Sequence, residues 1–512
     1  MAIVTESASG PGERRRLRLS SPATLEEIGE IEVQTSVDVA HAVERARHAQ
    51  PAWAGLAIEE RARFLRRMLD GVLARQDEIV DVVVRESGKP RNEARMMEVF
   101  SACDSLTYWT SHAGRLLRPE RVRPHGLLRF AKTLRIEYRP LGVVGVISPW
   151  NAPLILSLDP SVQALVAGNA VLLKPSEVTP FSGELLGELF EAAGLPEGIF
   201  QVLTGDGETG AALCASGVDK ISFTGSVATG RKVGEACARQ LIPCTLELGG
   251  DDPMIVCGDA DLERAAAGAV AGAFLNAGQY CCGTERVYVV DEIAGAFTDR
   301  VLRRVAELRQ GSDGEFDVGA IFQERQLAVI ERHVSDAVSR GAKILAGGRR
   351  NPALSGLYYE PTVLVDVGGD MEIMREETFG PILPIQRVRD EDEAIRCAND
   401  SRYGLAATVW TRDPARGRDL ARRLEAGSVC INDMTVTYGL LEAPFGGRKQ
   451  SGIGQVHGAL GLRGYCHAEP IIADRAGGKR SLSHYPYTLA SDQRMKRFLK
   501  IWFGTPLARW LS

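Results

Sequence analysis

The sequence predicts an α/β protein in which helices wrap parallel sheets, and three observations predict it. First, short apolar runs recur between residues 141 and 226: Gly142-Val143-Val144-Gly145-Val146-Ile147, Ala170-Val171-Leu172-Leu173, Gln201-Val202-Leu203 and Lys220-Ile221-Ser222-Phe223. Helical stretches at about 158–167, 182–193 and 208–215 separate them. Second, each run stops at polar or turn-forming residues: Ser148-Pro149-Trp150-Asn151, Lys174-Pro175, Gly205 and Thr224-Gly225-Ser226. Third, the alternation returns further on, with strands expected at 254–260, 286–291, 343–347, 362–366 and 406–411. Helices at about 262–277, 294–308, 324–340 and 391–398 lie among them. Strand, turn and helix at this spacing make a parallel sheet covered on both faces. Ligands of such sheets bind beyond the carboxyl ends of the strands, where these polar residues fall.

From the amino end, residues 1–20, with Arg14-Arg15-Arg16, are expected to be a flexible arm. Thr35 or Ser36 can cap a helix reaching about residue 48. A second helix is expected over 58–87, where Phe64, Leu65, Met68, Leu69, Val72 and Leu73 share one face and Gly88-Lys89-Pro90 ends it. A third follows over about 92–113, and all three read as packing. Residues 122–140 have strand character. Glu376-Glu377-Thr378-Phe379-Gly380-Pro381 and Ala443-Pro444-Phe445-Gly446-Gly447 read as loops.

Composition describes an ordinary soluble protein: 45% hydrophobic, 25% charged, formal net charge -5. Without a basic excess there is no case for nucleic acid. Ten scattered cysteines show neither a disulfide framework nor a metal-ligand C-x-x-C pair, so a reducing compartment is expected and no metal site is. No run reaches membrane-spanning length and no signal peptide opens the chain, so a cytoplasmic location is expected. At 512 residues the chain should divide into two or three domains.

The chemistry centres on Asn276-Ala277-Gly278-Gln279-Tyr280-Cys281-Cys282. A thiol that attacks a carbonyl needs close backbone donors and an open approach, and Gly278 permits the closeness; a buried structural cysteine is the other reading. Thr224-Gly225-Ser226 ends a strand and opens a helix, where N–H groups can hold a phosphate or simply cap the turn. Lys174 and Glu177 suit ribose hydroxyls, or form an ion pair; Glu177 would repel a 2′-phosphate. Glu247, in Glu247-Leu248-Gly249-Gly250, is a candidate base for activating water, or a solvated charge. Asn151 can donate its amide to an oxyanion, or shape a turn.

Taken in order, Pro149-Trp150-Asn151, Lys174-Pro175-Ser176-Glu177, Phe223-Thr224-Gly225-Ser226, Glu247-Leu248-Gly249-Gly250, Gly278-Gln279-Tyr280-Cys281, Glu377-Thr378-Phe379-Gly380-Pro381 and Pro444-Phe445-Gly446-Gly447 resemble the motifs of the aldehyde dehydrogenase superfamily, over residues 30–470. The resemblance implies a Rossmann-type NAD-binding domain (21–121 and 141–250), an α/β catalytic domain (251–466) and a small oligomerisation ribbon (122–140 and 467–484). It implies Cys281 as nucleophile, Asn151 as oxyanion donor and Glu247 as the base for deacylation to a free acid. Around the cofactor it implies Pro149, Trp150, Lys174, Ser176, Glu177, Gly225, Ser226, Leu248, Glu377 and Phe379, with NADP the less favoured alternative to NAD. A homodimer or homotetramer follows from the same resemblance.

Ala152, Leu154, Leu156 and Leu158, with Phe445, are expected to form an apolar tunnel for a medium- or long-chain or aromatic aldehyde. Succinate semialdehyde is the alternative, with Arg286 as a conceivable anchor. A cofactor-independent cysteine hydrolase or acyltransferase is a different class, but it would want a histidine base in a motif, and no such motif is found. Residues 485–512 mix Arg494, Lys496, Arg497 and Lys500 with Met495, Phe498, Leu499, Ile501, Trp502, Phe503, Leu507, Trp510 and Leu511. Such an amphipathic tail suits a membrane interface, or a helix covering the substrate entrance or a neighbouring subunit.

Overall fold

The computed structural model describes residues 3–6, 14–434, 436–475 and 485–506. Its first large sheet runs Gly452–Ile453, Cys244–Glu247, Lys220–Thr224, Val143–Ile147, Ala170–Lys174, Phe200–Val202. All neighbours are parallel except the two-residue strand at the edge. The chain enters at Val143–Ile147, builds outward to one side, then returns to build the other. The direction therefore reverses between Val143–Ile147 and Lys220–Thr224, the kind of switch point where a crevice opens. Every residue of Val143–Ile147 and Ala170–Lys174 is buried, as strands covered on both faces must be. One cover is the helix Ile155–Ala167, buried along its whole length and closed by Gly168 at φ 104.

The second large sheet runs Lys343–Ala346, Thr362–Val365, Ile382–Val388, Arg286–Val290, Pro253–Val256, Ala406–Trp410, Ser428–Ile431, antiparallel only at the Lys343–Ala346 edge. Two three-stranded sheets complete the architecture. One, of Val4–Glu6, Arg16–Ser20 and Glu27–Glu32, lies at the amino end; in the other, Lys132–Pro140 pairs antiparallel with Cys466–Asp474 and with Glu120–Val122. Two hydrophobic cores, one per large sheet, hold these layers.

Several expectations need correction. Residues 16–20 are strand rather than arm: Leu17 and Leu19 point inward while Arg16 and Arg18 point out, the period of a half-buried strand. Val4–Glu6 of that expected arm is strand as well, paired with Arg16–Ser20, while residues 1–2 and 7–13 lie outside the described residues. The 58–87 helix breaks at Arg75 (φ -105, ψ 18) into Ile58–Ala74 and Gln76–Ser87. The third helix carries a π-helical segment, Arg95–Phe100, between Arg91–Ala94 and Ser101–Leu116. The strands Cys244–Glu247, Ile382–Val388 and Ser428–Ile431 were not anticipated. Within the expected ribbon, Leu128–Ala131 is a short helix, and residues 476–484 fall outside the described residues. In the tail, Leu489–Gly504 is a helix with no buried residue; residues 507–512 are not described.

Candidate active site

The helix Leu262–Phe274 does not run into Ala277 as its composition suggests. It stops, and Asn276 (φ 55), Ala277 (φ 53) and Gly278 (φ 72) turn left-handed in succession. Two non-glycine residues in that region cost about 1–3 kcal/mol each, so something must hold them. Glu93 accepts the Asn276 N–H at 3.0 Å, and Asn276 Nδ2 donates to the Asn151 and Gln279 carbonyls at 2.8 and 2.9 Å. Gln279 Nε2 donates to the Asn276 and Ala320 carbonyls, and its Oε1 accepts the Phe322 N–H. A Cβ on Gly278 would lie 1.9 Å from the Gly380 carbonyl oxygen, so only glycine fits.

The loop delivers Cys281, half-buried, to a cavity of about 260 Å³ and leaves Cys282 buried behind it. The two thiols interact. That contact, and then burial, pushes the Cys281 thiol well above its ordinary value, while Cys282 is drawn down to about 7 by its hydrogen bond with Cys281. Acidity alone would favour Cys282; access to the cavity belongs to Cys281.

Asn151 follows Val143–Ile147 and is buried at the cavity. Its Nδ2 donates to the Gln279 carbonyl at 3.1 Å, which uses one of two amide hydrogens and leaves the other for an oxyanion. Its carbonyl accepts from Lys89 Nζ at 3.1 Å, and Lys89 is paired with Glu98 at 2.7 Å, both side chains fully buried. The other oxygen of Glu98 accepts the N–H groups of Leu154 and Ile155, capping the helix that follows Asn151. Lys89, Glu93 and Glu98, read from sequence as parts of packing helices, thus brace the site. No local pattern marks them; only the fold brings them there.

Glu247 ends its strand at the same cavity, buried, with neither carboxylate oxygen hydrogen-bonded. Burial, then the nearby Cys282 thiol, raises it well above the carboxylate range. An unpartnered buried carboxyl is costly, and one facing a cavity is placed to take up a water.

Pro149, Trp150, Gly225, Ser226, Leu248, Glu377 and Phe379 line that cavity too, while Lys174, Ser176 and Glu177 stand outside it at the end of the neighbouring strand. Ser226, on the cavity wall, caps the helix Val227–Gln240 by accepting the Thr229 N–H. Glu377 accepts the Gly250 N–H at 3.0 Å, and burial lifts it to about 8 despite that bond. Glu285 holds the Thr378 and Phe379 N–H groups, and Phe379 meets Trp150 edge-on at 5.3 Å. Lys174 Nζ lies 3.2 Å from Glu177 Oε2. A Cβ on Gly249 would come within 2.1 Å of the Glu377 carboxylate and one on Gly225 within 2.6 Å of the Phe223 ring. A glycine-smoothed groove, a helix amino terminus and carboxylates able to accept hydroxyl groups make a set that fits a dinucleotide.

The apolar walls differ from the expected tunnel. Leu156 and Phe445 line the cavity, but Ala152, Leu154 and Leu158 pack into the first core. Pro160, Val329, Leu405, Tyr438 and Val456, which sequence reasoning missed, also line it. Arg286 is buried, 2.9 Å from Asp251, and is not among the residues lining the cavity.

Comparison with known proteins agrees with this geometry. The family model described as "Aldehyde dehydrogenase family" matches residues 10–471. A 4,4'-diapolycopene aldehyde oxidase from Methylomonas sp is 40% identical over 485 residues, 94% of this chain and 91% of that one. A Mycolicibacterium smegmatis protein provisionally named succinate-semialdehyde dehydrogenase (NADP(+)) is 40% identical over 455 residues, 88% of this chain and 87% of that one. The crystal structure of Mycobacterium tuberculosis aldehyde dehydrogenase complexed with NAD+ superposes with a TM-score of 0.86 at 33% identity, covering 91% of this chain and 96% of that one. An E. coli NADP dependent enzyme gives 0.87 at 34% identity, covering 93% and 98%. With a thiol, an amide and a carboxylate gathered at the switch point of such a sheet, and with similarity along nearly its whole length, the chain belongs to the aldehyde dehydrogenase family.

Proposed function

We propose that this aldehyde dehydrogenase oxidises apolar aldehydes, medium- or long-chain or aromatic, to free carboxylic acids with NAD. One observation carries the reading: Cys281, Asn151 and Glu247 open onto a single cavity whose apolar walls are Leu156, Pro160, Val329, Leu405, Tyr438, Phe445 and Val456, with Arg325 the one cation among its lining residues. Cys281 Sγ bonds to the aldehyde carbon as its proton leaves. The free amide hydrogen of Asn151 and the Cys281 N–H hold the oxyanion. A nicotinamide bound beside Cys281 would supply the hydride acceptor. What remains on Cys281 is a thioester, and Glu247 draws a proton from water so that a C–O bond forms as the C–S bond breaks. Lys174 and Glu177 would hold the adenosine ribose, with Ser176 beside them. Ser226 would hold the pyrophosphate and Glu377 the nicotinamide ribose, between Pro149, Trp150, Gly225, Leu248 and Phe379. Glu177 disfavours a 2′-phosphate and so favours NAD.

Succinate semialdehyde is the second reading, favoured by the name of the Mycolicibacterium smegmatis relative. Its far carboxylate would need a cation. Arg286 is committed to Asp251, and Arg325 lines the cavity on the Glu377 side, beside Gln326, which donates to the Thr378 carbonyl. We assign the antiparallel ribbon of 132–140 and 466–474 to a homodimer or homotetramer contact. The tail helix, with Met495, Phe498, Leu499, Trp502 and Phe503 on one face and Lys496, Arg497 and Lys500 on the other, is assigned to an anionic membrane surface. Equal flotation with liposomes before and after removal of 488–512 would overturn that assignment.

Absorbance at the NADH wavelength tests the main reading. Aldehydes from acetaldehyde to long-chain and aromatic ones, and succinate semialdehyde, are compared with NAD and NADP. The apolar aldehydes should give the highest kcat/KM, and Cys281→Ala should give none. A preference for succinate semialdehyde would overturn the substrate class.

A further inference from the structure

Behind the cavity wall lies a second buried acid–base pair that the chemistry above does not use. Asp159 and His457 are both buried, and Asp159 Oδ2 stands 3.0 Å from His457 Nε2. Their chain neighbours Pro160 and Val456 line the cavity, so the pair sits one residue behind it. Asp159 also accepts Ser105 Oγ at 2.7 Å and Trp109 Nε1 at 2.8 Å on Oδ1, and Gln163 Nε2 at 2.7 Å on Oδ2. Burial would raise this carboxyl, but the facing imidazole and these donors hold it below its ordinary value, so it is an acceptor only. The His457 proton must then reside on Nε2. That leaves Nδ1 a bare lone pair, and Nδ1 is buried without a hydrogen-bond partner.

Two further features mark the position. His457 has φ 63 and ψ 172, a region that is essentially glycine's and costs about 1–3 kcal/mol, although Gly458 stands next to it. Tyr438, itself on the cavity wall, packs its ring 4.6 Å from the imidazole. Oxidation of an aldehyde to a carboxylate by NAD and water yields NADH and two protons. Both arise in this cavity, and Glu247 must lose the one it collects before it can act again.

We propose that His457, held by Asp159, is a proton store for deacylation. The Glu247 O–H bond breaks and the His457 Nδ1–H bond forms, with the Tyr438 hydroxyl between them taking the Glu247 proton as it gives its own to Nδ1. The resulting imidazolium is stabilised by the Asp159 carboxylate, and the proton returns to solvent through the cavity as the acid leaves. No electron changes hands. The titratable groups facing the pair are Tyr438 and Tyr465, whose hydroxyl reaches Ser222 at 3.3 Å, with Glu247 and Cys281 at the cavity.

The inference rests on the role of Glu247 proposed above, and pre-steady-state kinetics separate the two. The wild type should show a burst of NADH, and Glu247→Gln should keep the burst while losing turnover; failure there sinks the base itself. If that holds, His457→Gln, which retains a donor for Asp159, should keep the burst, lower kcat about tenfold and shift the pH profile of kcat. Asp159→Asn should do the same. An unshifted profile, or equal loss of burst and turnover, would leave the pair a structural one. Should both variants fold poorly, 15N-histidine NMR of the acyl-enzyme in the Glu247-intact protein replaces them. A neutral His457 throughout turnover overturns the proposal, and an imidazolium signal supports it.

Discussion

Glu247→Gln tests the proposed chemistry most sharply, because the structure separates its effect on catalysis from its effect on folding. Neither oxygen of Glu247 has a hydrogen bond to lose, and glutamine has nearly the same shape. The substitution should change stability by no more than about 1 kcal/mol. What it removes is the only unpartnered carboxylate among Cys281, Asn151 and Glu247 at the cavity. General-base assistance is worth about 10²–10⁴-fold, or about 3–5 kcal/mol of barrier. That loss should fall on the deacylation step alone. Stopped-flow absorbance should therefore show a first turnover of NADH near wild-type amplitude, followed by a steady state lowered by that factor, with an acyl adduct on Cys281 in the mass spectrum. Because burial keeps the Glu247 carboxyl protonated well above the usual range, wild-type deacylation should also quicken as pH rises, and the variant should lose that dependence. Equal loss of burst and steady state would refute the assignment, since a base for thioester hydrolysis cannot be needed before the thioester exists.

Cys281→Ala should abolish turnover, whereas Cys282→Ala, behind the cavity, should retain it at a stability cost of about 1 kcal/mol; the same NADH assay with a thermal melt decides. Glu177→Gln should raise kcat/KM with NADP about tenfold, roughly 1.4 kcal/mol, while lowering it with NAD, whose ribose loses a carboxylate partner. Lys89→Met leaves Glu98 buried and unpaired, and should destabilise the chain by about 3–5 kcal/mol while lowering kcat through Asn151, as denaturant titration and kinetics would show. His333 is buried against Thr378, and burial first, then Arg332, depresses its imidazole from 6.5 to about 4. The unfolded chain binds this proton more readily, so stability should fall as pH drops below about 6.5, by about 2 kcal/mol at about pH 5. Unfolding midpoints of wild type and His333→Gln, measured at both ends of that window, should converge on the acid side; parallel curves would refute the reading.

Sequence made legible whatever rests on local chemistry. Turn residues at strand ends, such as Ser148-Pro149-Trp150-Asn151 and Thr224-Gly225-Ser226, announce themselves because strands and turns need different residues. The alternation of Leu17 and Leu19 with Arg16 and Arg18 carried the same kind of signal, and the basic cluster before it obscured it. Pro384 likewise masks Ile382–Val388, since proline argues against a central strand. The apolar series from Ala152 to Leu158 was harder: it runs from a loop into a helix buried on all sides, so no period could show that only Leu156 meets the cavity. What no local pattern could reveal is the bracing of the site across the chain. Lys89 reaches Asn151 over 62 residues, Glu93 reaches Asn276 over 183, and His457 reaches Asp159 over 298. Buried charges of this kind are tolerated only where partners meet them, and the partners are supplied by topology. The first sheet reverses direction where Asn151 emerges, the loop bearing Cys281 crosses from the second sheet to meet it, and the last segment before the ribbon closes the cavity from behind. An acid–base pair placed at that closure can act on the thiol chemistry only because three distant segments converge there.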